Sequence, residues 1–189
     1  MKPVILASQS PRRKQLMELA GIPFEVKVVD TAETFPPDMD IPEVPVHIAR
    51  QKSEAVAHLC NTDDIIVTAD TVVVLDDKII GKPKDREDAI SILTSLSGRT
   101  HRVITGVVIK SGSQEHAFSQ TTEVHFKPLT QEQIIYYIDE HKPYDKAGAY
   151  GVQDWIGVVA IKGINGCFYN VMGLPISSVV EGLEKITAQ

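Results

Sequence analysis

The sequence predicts an α/β protein, and two observations carry that prediction. Short β-rich runs alternate with helical stretches along the whole chain. Hydrophobic residues make up 43% and charged residues 23%, the composition of a packed domain rather than a disordered one. At 189 residues the chain suits one domain, 1–189, with room for two lobes around a cleft.

The strand expectations, in chain order, are Val4 to Ala7, Phe24 to Val29, Ile65 to Thr68, Val72 to Leu75, His101 to Lys110, Thr121 to Phe126 and Gly157 to Ile161. Between them, helices are expected over Pro11 to Ala20, Val44 to Leu59, Arg86 to Leu96, Gln131 to His141 and Pro175 to Lys185. Ser10-Pro11 reads as an N-cap followed by proline at the first helical position. Thr130 with Gln133 has the form of a capping box, and Asp85 precedes a helical pattern that stops near Gly98. The stretch Glu33 to Pro45 carries Pro36, Pro37, Pro42 and Pro45 among several acids, which marks a loop.

Composition also excludes function classes. A net charge of -6 opposes a general nucleic-acid footprint, so phosphate chemistry requires a local cluster of cations. The four apolar residues Val4 to Ala7 are too short for a signal-peptide core, and no apolar run approaches the roughly 18 residues of a spanning helix. A cytoplasmic protein without membrane or nucleic-acid partners is the expectation. Cys60 and Cys167 form no CxxC pair and read as free thiols. There is no HExxH, GxSxG or GxGxxG pattern, which disfavours a histidine zinc site, a serine-nucleophile elbow and a Rossmann dinucleotide site.

Three sets of charges break the amphipathic patterns. On the helix beginning at Pro11, Leu16, Met17, Leu19 and Ala20 define an apolar arc, and Arg12 and Arg13 fall inside it in the first turn. Two guanidinium groups at a positive helix end repel each other, and an anion held by free N–H groups and arginine forks would resolve the conflict. Snorkelling around an apolar face is the alternative. Lys52 lies near the middle of the stripe formed by Ile48, Ala55, Val56 and Leu59, so its ammonium should end in a polar cavity, beside an acid or snorkelled to solvent. Asp70 interrupts the most strand-like stretch of the chain and is expected at a bulge or strand end, either as a ligand-binding acid or as a turn residue. Gly81-Lys82-Pro83 is not a Walker A loop and by itself reads as an exposed turn.

Together, Ser8-Gln9-Ser10-Pro11-Arg12-Arg13, Ala69-Asp70-Thr71, Gly81-Lys82-Pro83, Ser97-Gly98-Arg99-Thr100-His101, Asp145-Lys146-Ala147-Gly148-Ala149-Tyr150-Gly151-Val152-Gln153 and Gly173-Leu174-Pro175 resemble the Maf family, in the family's order and over nearly the whole chain. The resemblance implies a two-lobed, mixed and twisted β-sheet flanked by helices with a central cleft, similar to the inosine triphosphate pyrophosphatases. It implies a nucleoside triphosphate pyrophosphatase that releases pyrophosphate and a monophosphate, works with Mg²⁺ or Mn²⁺, forms a homodimer and is linked to inhibition of septum formation.

The family pattern carries over residue by residue. Arg12, Thr71 and Gln153 resemble the specificity positions of the dTTP and UTP branch, whereas a branch acting on 7-methyl-GTP tends to have tryptophan, glutamine and glutamate there. Ser8, Arg13, Lys52 and Lys82 are expected at the phosphates, Glu33 and Asp70 at the metal, and Asp70 as general base for water. Gln153 offers a donor and an acceptor to a uracil or thymine edge. A nucleotide-binding regulator of septum formation with little turnover is the alternative. One departure stands out: relatives commonly place glycine after this glutamine, and here Asp154-Trp155 follows. The indole would either reshape the base pocket or pack against the neighbouring lobe.

Overall fold

The computed structural model describes residues 3–188; Met1, Lys2 and Gln189 of the expected domain lie outside them. The chain runs β1 (Val4–Leu6), α1 (Pro11–Leu19), β2 (Glu25–Val26), α2 (Val44–Val56), β3 (Ile65–Leu75), β4 (Lys78–Ile80), α3 (Arg86–Leu96), β5 (Thr100–Ser111), β6 (Gln114–Phe126), α4 (Gln131–His141), α5 (Trp155–Ala160), β7 (Ile161–Asn165), α6 (Phe168–Met172) and α7 (Ile176–Thr187). Seven strands form one mixed sheet in the order β2-β1-β3-β5-β6-β7, with β4 paired to β3. The expected α/β class with a mixed sheet flanked by helices is what the chain adopts. None of the described helices is long and apolar enough to cross a membrane.

Contacts divide the chain into two compact units. The first holds the residues up to Thr71, Thr105–Gln120 and the segment from Gly173. Its parallel pairs place Ile5 opposite Glu25 and Ile66. These strands are buried on both faces, which is why Val4, Ile5 and Leu6 form an unbroken apolar run. Helix α2 lies directly on the backbone of β5. A Cβ added at Gly106 would sit 2.2 Å from Val46 N and 2.3 Å from the Pro45 carbonyl carbon, so only glycine admits this approach.

The second unit holds Val72–Ile104 and Thr121–Met172. Here β3 turns into β4 through Asp76-Asp77, with Leu75 paired to Lys78. Both aspartates have positive φ, 48° and 55°, as a primed hairpin turn requires. Arg99 bonds Asp76 at 2.6 Å and Arg102 bonds Asp77 at 2.7 Å, holding the two acids in place. The capping box of α4 forms as expected, Gln133 N donating to Thr130 Oγ1 at 3.2 Å and Thr130 N to Gln133 Oε1 at 2.9 Å. Asp85 caps α3 by accepting from Asp88 N at 2.8 Å.

Several expectations need correction. Asp70 does not mark a strand end: β3 is one continuous strand, with residues 65–67 paired to β1 and 73–75 to β4, and Ala69-Asp70-Thr71 lies between those pairings. The expected strand over Gly157 to Ile161 is the end of α5 followed by β7. Ile156 and Ala160, four apart, are buried while Val158 is 82% exposed, which is helical rather than alternating burial. The strand expected from Phe24 to Val29 shrinks to Glu25–Val26. Ser10 makes no side-chain cap; its own N–H donates to Ser8 Oγ at 3.2 Å. Leu19 and Ala20 are exposed, so the buried face of α1 is only Leu16 and Met17.

Candidate active site

The loop after β2, the third turn of α2 and the middle of β3 bring one positive and two negative charges to one point in the first unit. Lys52 Nζ, from α2, lies 2.8 Å from Glu33 Oε1 and 2.8 Å from Asp70 Oδ1. The lysine and Asp70 side chains are only 16% and 15% exposed, and Glu33 44%. Burial of a lysine in mid-stripe is thus compensated by two carboxylates, as buried charge demands. Glu33 reaches inward from a left-handed backbone, φ 48°, an uncommon state for a glutamate. Asp70 Oδ2 takes no hydrogen bond from the described residues.

Arg13 projects from the first turn of α1 into a shell of protein oxygens. Its Nε donates to Gly173 O at 2.8 Å, Nη1 to Ala69 O at 2.7 Å and to Ser8 Oγ at 3.4 Å, and Nη2 to Thr71 Oγ1 at 3.1 Å. Burial lowers the pKa of Arg13, the Asp70 charge opposes that shift, and the group remains a cation. The guanidinium therefore ties together three of the sequence blocks described above, at Ser8, at Ala69 and Thr71, and at Gly173. Thr71 Oγ1 also lies 2.9 Å from Thr105 Oγ1 and 3.4 Å from Gly173 O, so its hydroxyl is committed within the protein. Arg12 is half-buried on the same turn. An apolar cavity of ≈ 660 Å³ in this unit, lined by Val4, Ile22, Ile65, Val180 and Leu183 among others, contains none of the candidate residues.

The second unit carries Lys82 and Gln153. Lys82 is exposed and makes no hydrogen bond or ion pair among the described residues. Its neighbour Gly81 accepts from Gly148 N at 3.0 Å, which links the Gly81-Lys82-Pro83 turn to the Asp145–Gln153 block. Gln153 is exposed, and the next residue, Asp154, accepts a 2.8 Å hydrogen bond from the Tyr137 hydroxyl. Trp155 packs edge-on against Tyr136 with ring centroids 4.9 Å apart, so the indole is a packing residue.

Sequence reasoning missed the aromatic support of this segment. His101 Nε2 and the Tyr150 hydroxyl share a 2.7 Å hydrogen bond, and Phe126 meets both rings edge-on. His101 is 2% exposed, its Nδ1 has no partner among the described residues, and burial lowers its pKa to about 4. Burial likewise raises the pKa of Tyr150. Nothing in the local pattern signals these contacts, since they join residues far apart in sequence, His101 and Tyr150 by 49 positions.

As hard oxygen donors converging on one cation, Glu33 and Asp70 fit a divalent ion in place of the ammonium. Among the described residues no group of three or more His, Cys, Asp or Glu is arranged to hold a metal. Two carboxylates are nevertheless the number that Mg²⁺ commonly takes from a protein, phosphate oxygens and water supplying the rest.

The profile of the family described as Maf-like protein matches residues 3–186. A dTTP/UTP pyrophosphatase of Bacteroides thetaiotaomicron is 45% identical over 184 residues, covering 97% of this chain and 95% of its own length. A dTTP/UTP pyrophosphatase of Cytophaga hutchinsonii is 48% identical over 183 residues, covering 97% and 84%. Among solved structures, a HAM1 protein from Coxiella burnetii matches 67% of this chain and 73% of its own with a TM-score of 0.45 at 13% identity, which carries no weight beside those identities. With the profile running nearly end to end and relatives close to half identical, the chain belongs to the Maf-like family.

Proposed function

We propose that this chain is an enzyme that hydrolyses dTTP and UTP to the nucleoside monophosphate and pyrophosphate. The observation that carries the reading is the Lys52 ammonium held at 2.8 Å from both Glu33 and Asp70, which concentrates a phosphate-binding cation, a base and two metal donors at one point. The names of the relatives, dTTP/UTP pyrophosphatase at 45% and 48% identity, support the substrate class.

In this mechanism Asp70 takes a proton from water as the water oxygen attacks the α-phosphorus. The bond from that phosphorus to the α–β bridging oxygen breaks, and pyrophosphate leaves. Oδ1 of Asp70, the oxygen that Lys52 holds, would pass to the divalent ion, so Oδ2 is the atom that receives the proton. Mg²⁺ or Mn²⁺ bound by Glu33 and Asp70 would offset the charge of the polyphosphate. Lys52, Ser8, Lys82 and the remaining Nη2 hydrogen of Arg13 supply donors to phosphate oxygens, so catalysis is mostly positioning and electrostatic stabilisation. Arg12, Thr71 and Gln153 govern the base, with Thr71 acting as an anchor within the protein. The whole chain acts as one pyrophosphatase domain, as a cytoplasmic homodimer.

Pyrophosphate release from a panel of nucleoside triphosphates, with Mg²⁺ or Mn²⁺, tests this reading against Asp70→Asn. Rapid release from dTTP and UTP, reduced about 10²- to 10⁴-fold in the variant, is expected. Turnover confined to purine or methylated substrates would overturn the pyrimidine assignment. Nucleotide binding with no release from wild type would move the reading to a regulator.

A further inference from the structure

Gln153 stands in a turn whose two ends are tied to a single hydroxyl group. Asp154 N donates to Gly151 O at 3.0 Å, closing a turn over Gly151-Val152-Gln153-Asp154. Within it Val152 is buried and Gln153 is exposed. The Tyr137 hydroxyl, from α4, accepts from Gly151 N at 3.0 Å and donates to Asp154 Oδ2 at 2.8 Å. Tyr137 is 0% exposed and its ring stacks on His141 at 4.9 Å, so the hydroxyl is held by the helix core.

The carboxylate folds tightly over the turn. A Cβ at Gly151 would lie 2.6 Å from Asp154 Oδ2 and 3.0 Å from Gln153 Nε2. Burial, then the hydrogen bond to Asp154, raises the pKa of Tyr137, so the hydroxyl keeps its proton and remains a donor to the acid. A glycine at position 154 would leave the turn with one of these two tethers. The amide of Gln153 discriminates bases only if its donor and acceptor are aimed, because a rotating amide serves either edge equally.

We infer that Tyr137 and Asp154 are positioning residues that orient the Gln153 turn and thereby set discrimination among nucleobases, without contacting the nucleotide themselves. The inference rests on the reading of Gln153 as the base-selecting residue. It places part of the specificity in α4 and in the Asp154 carboxylate, outside the three positions assigned to it from sequence.

The test compares kcat/KM for UTP and CTP, whose bases differ in the edge an amide would read. The proteins are wild type, Gln153→Ala, Tyr137→Phe, Asp154→Ala, Asp154→Asn and the double variant Tyr137→Phe with Gln153→Ala. Tyr137→Phe and Asp154→Ala should each lower the preference for UTP about fivefold to tenfold, the effect of losing one hydrogen bond. Asp154→Asn, whose amide oxygen still accepts from Tyr137, should retain most of the preference. The double variant should discriminate no worse than Gln153→Ala alone, since orientation is worthless once the amide is gone. If Tyr137→Phe and Asp154→Ala lower Tm yet keep the wild-type preference while Gln153→Ala abolishes it, the pair is merely structural and the inference falls. If Gln153→Ala itself leaves the preference intact, the base-reading role of Gln153 falls and takes the inference with it. Asp154 is half-buried on a turn, so its variants give an answer even if Tyr137→Phe does not fold.

Discussion

At the scale of single residues, Lys52 and Arg13, two basic side chains of the first unit, have different employment. Lys52 faces two acids, whereas Arg13 faces carbonyl and hydroxyl oxygens of its own chain. Arginine suits the second task because its rigid fork reaches Gly173 O, Ala69 O and Thr71 Oγ1 at once. Arg13→Lys should therefore destabilise the fold by about 2 kcal/mol, since a single ammonium leaves at least one buried acceptor unpaired, and lower Tm by roughly 5 °C. Thermal denaturation followed by circular dichroism checks this, and an unchanged Tm would show that the fork is dispensable. The anomalous placement of both residues was legible in sequence, because charges within an apolar stripe break a 3.6-residue period. Which charge met acids and which met carbonyls was not, since those partners lie 18 to 160 positions away.

At the scale of elements, legibility followed the strength of local signals. Helices α3 and α4 begin and end where their caps and breakers say, at Asp85 and Thr130 on entry. Removing the hydroxyl of the capping box by Thr130→Ala should cost about 1 kcal/mol, read as a lower denaturant midpoint with an unchanged m-value. The hairpin between β3 and β4 was illegible because its turn is Asp76-Asp77, with no glycine to announce positive φ; two arginines hold the acids instead. That pairing also explains the Ser97–His101 block. Gly98 adopts φ 70°, Arg99 bonds Asp76, Thr100 Oγ1 lies 2.7 Å from His125 Nδ1, and His101 bonds Tyr150. These contacts build the second unit. The polar first half of β6 was missed for a related reason: residues 114–120 alternate too weakly between buried and exposed to give a strand pattern.

For the whole molecule, the most readable bulk property is the response to acid. His101 has a folded pKa of about 4, chiefly through burial and secondarily through the charge of His125, against 6.5 when exposed. Between those values the unfolded chain binds the proton and the folded chain does not. Stability is therefore complete above pH 6.5, declines as pH falls toward 4 and levels off below it. At pH 5 the loss from this group amounts to about 2 kcal/mol. Urea denaturation of wild type and His101→Gln at pH 7 and pH 5 measures it, and an equal acid loss in both proteins would assign the effect elsewhere. The alternation of β-rich and helical stretches foretold the α/β class, but this buried ring emerges only after β5, β6 and the Tyr150 segment are brought together.

The bare contact between Gly106 and the first turn of α2 has a consequence for heritable variation. Lys52 sits on that helix, and the helix rests on β5 backbone to backbone, with no side chain between them to yield. A methyl group at position 106 would push the helix, and with it the ammonium, away from Glu33 and Asp70. A screen for inactive alleles would thus recover Gly106 alongside Asp70, although Gly106 carries no functional group. The geometry thus predicts that position 106 admits no side chain, although glycine offers none to the Glu33-Lys52-Asp70 cluster.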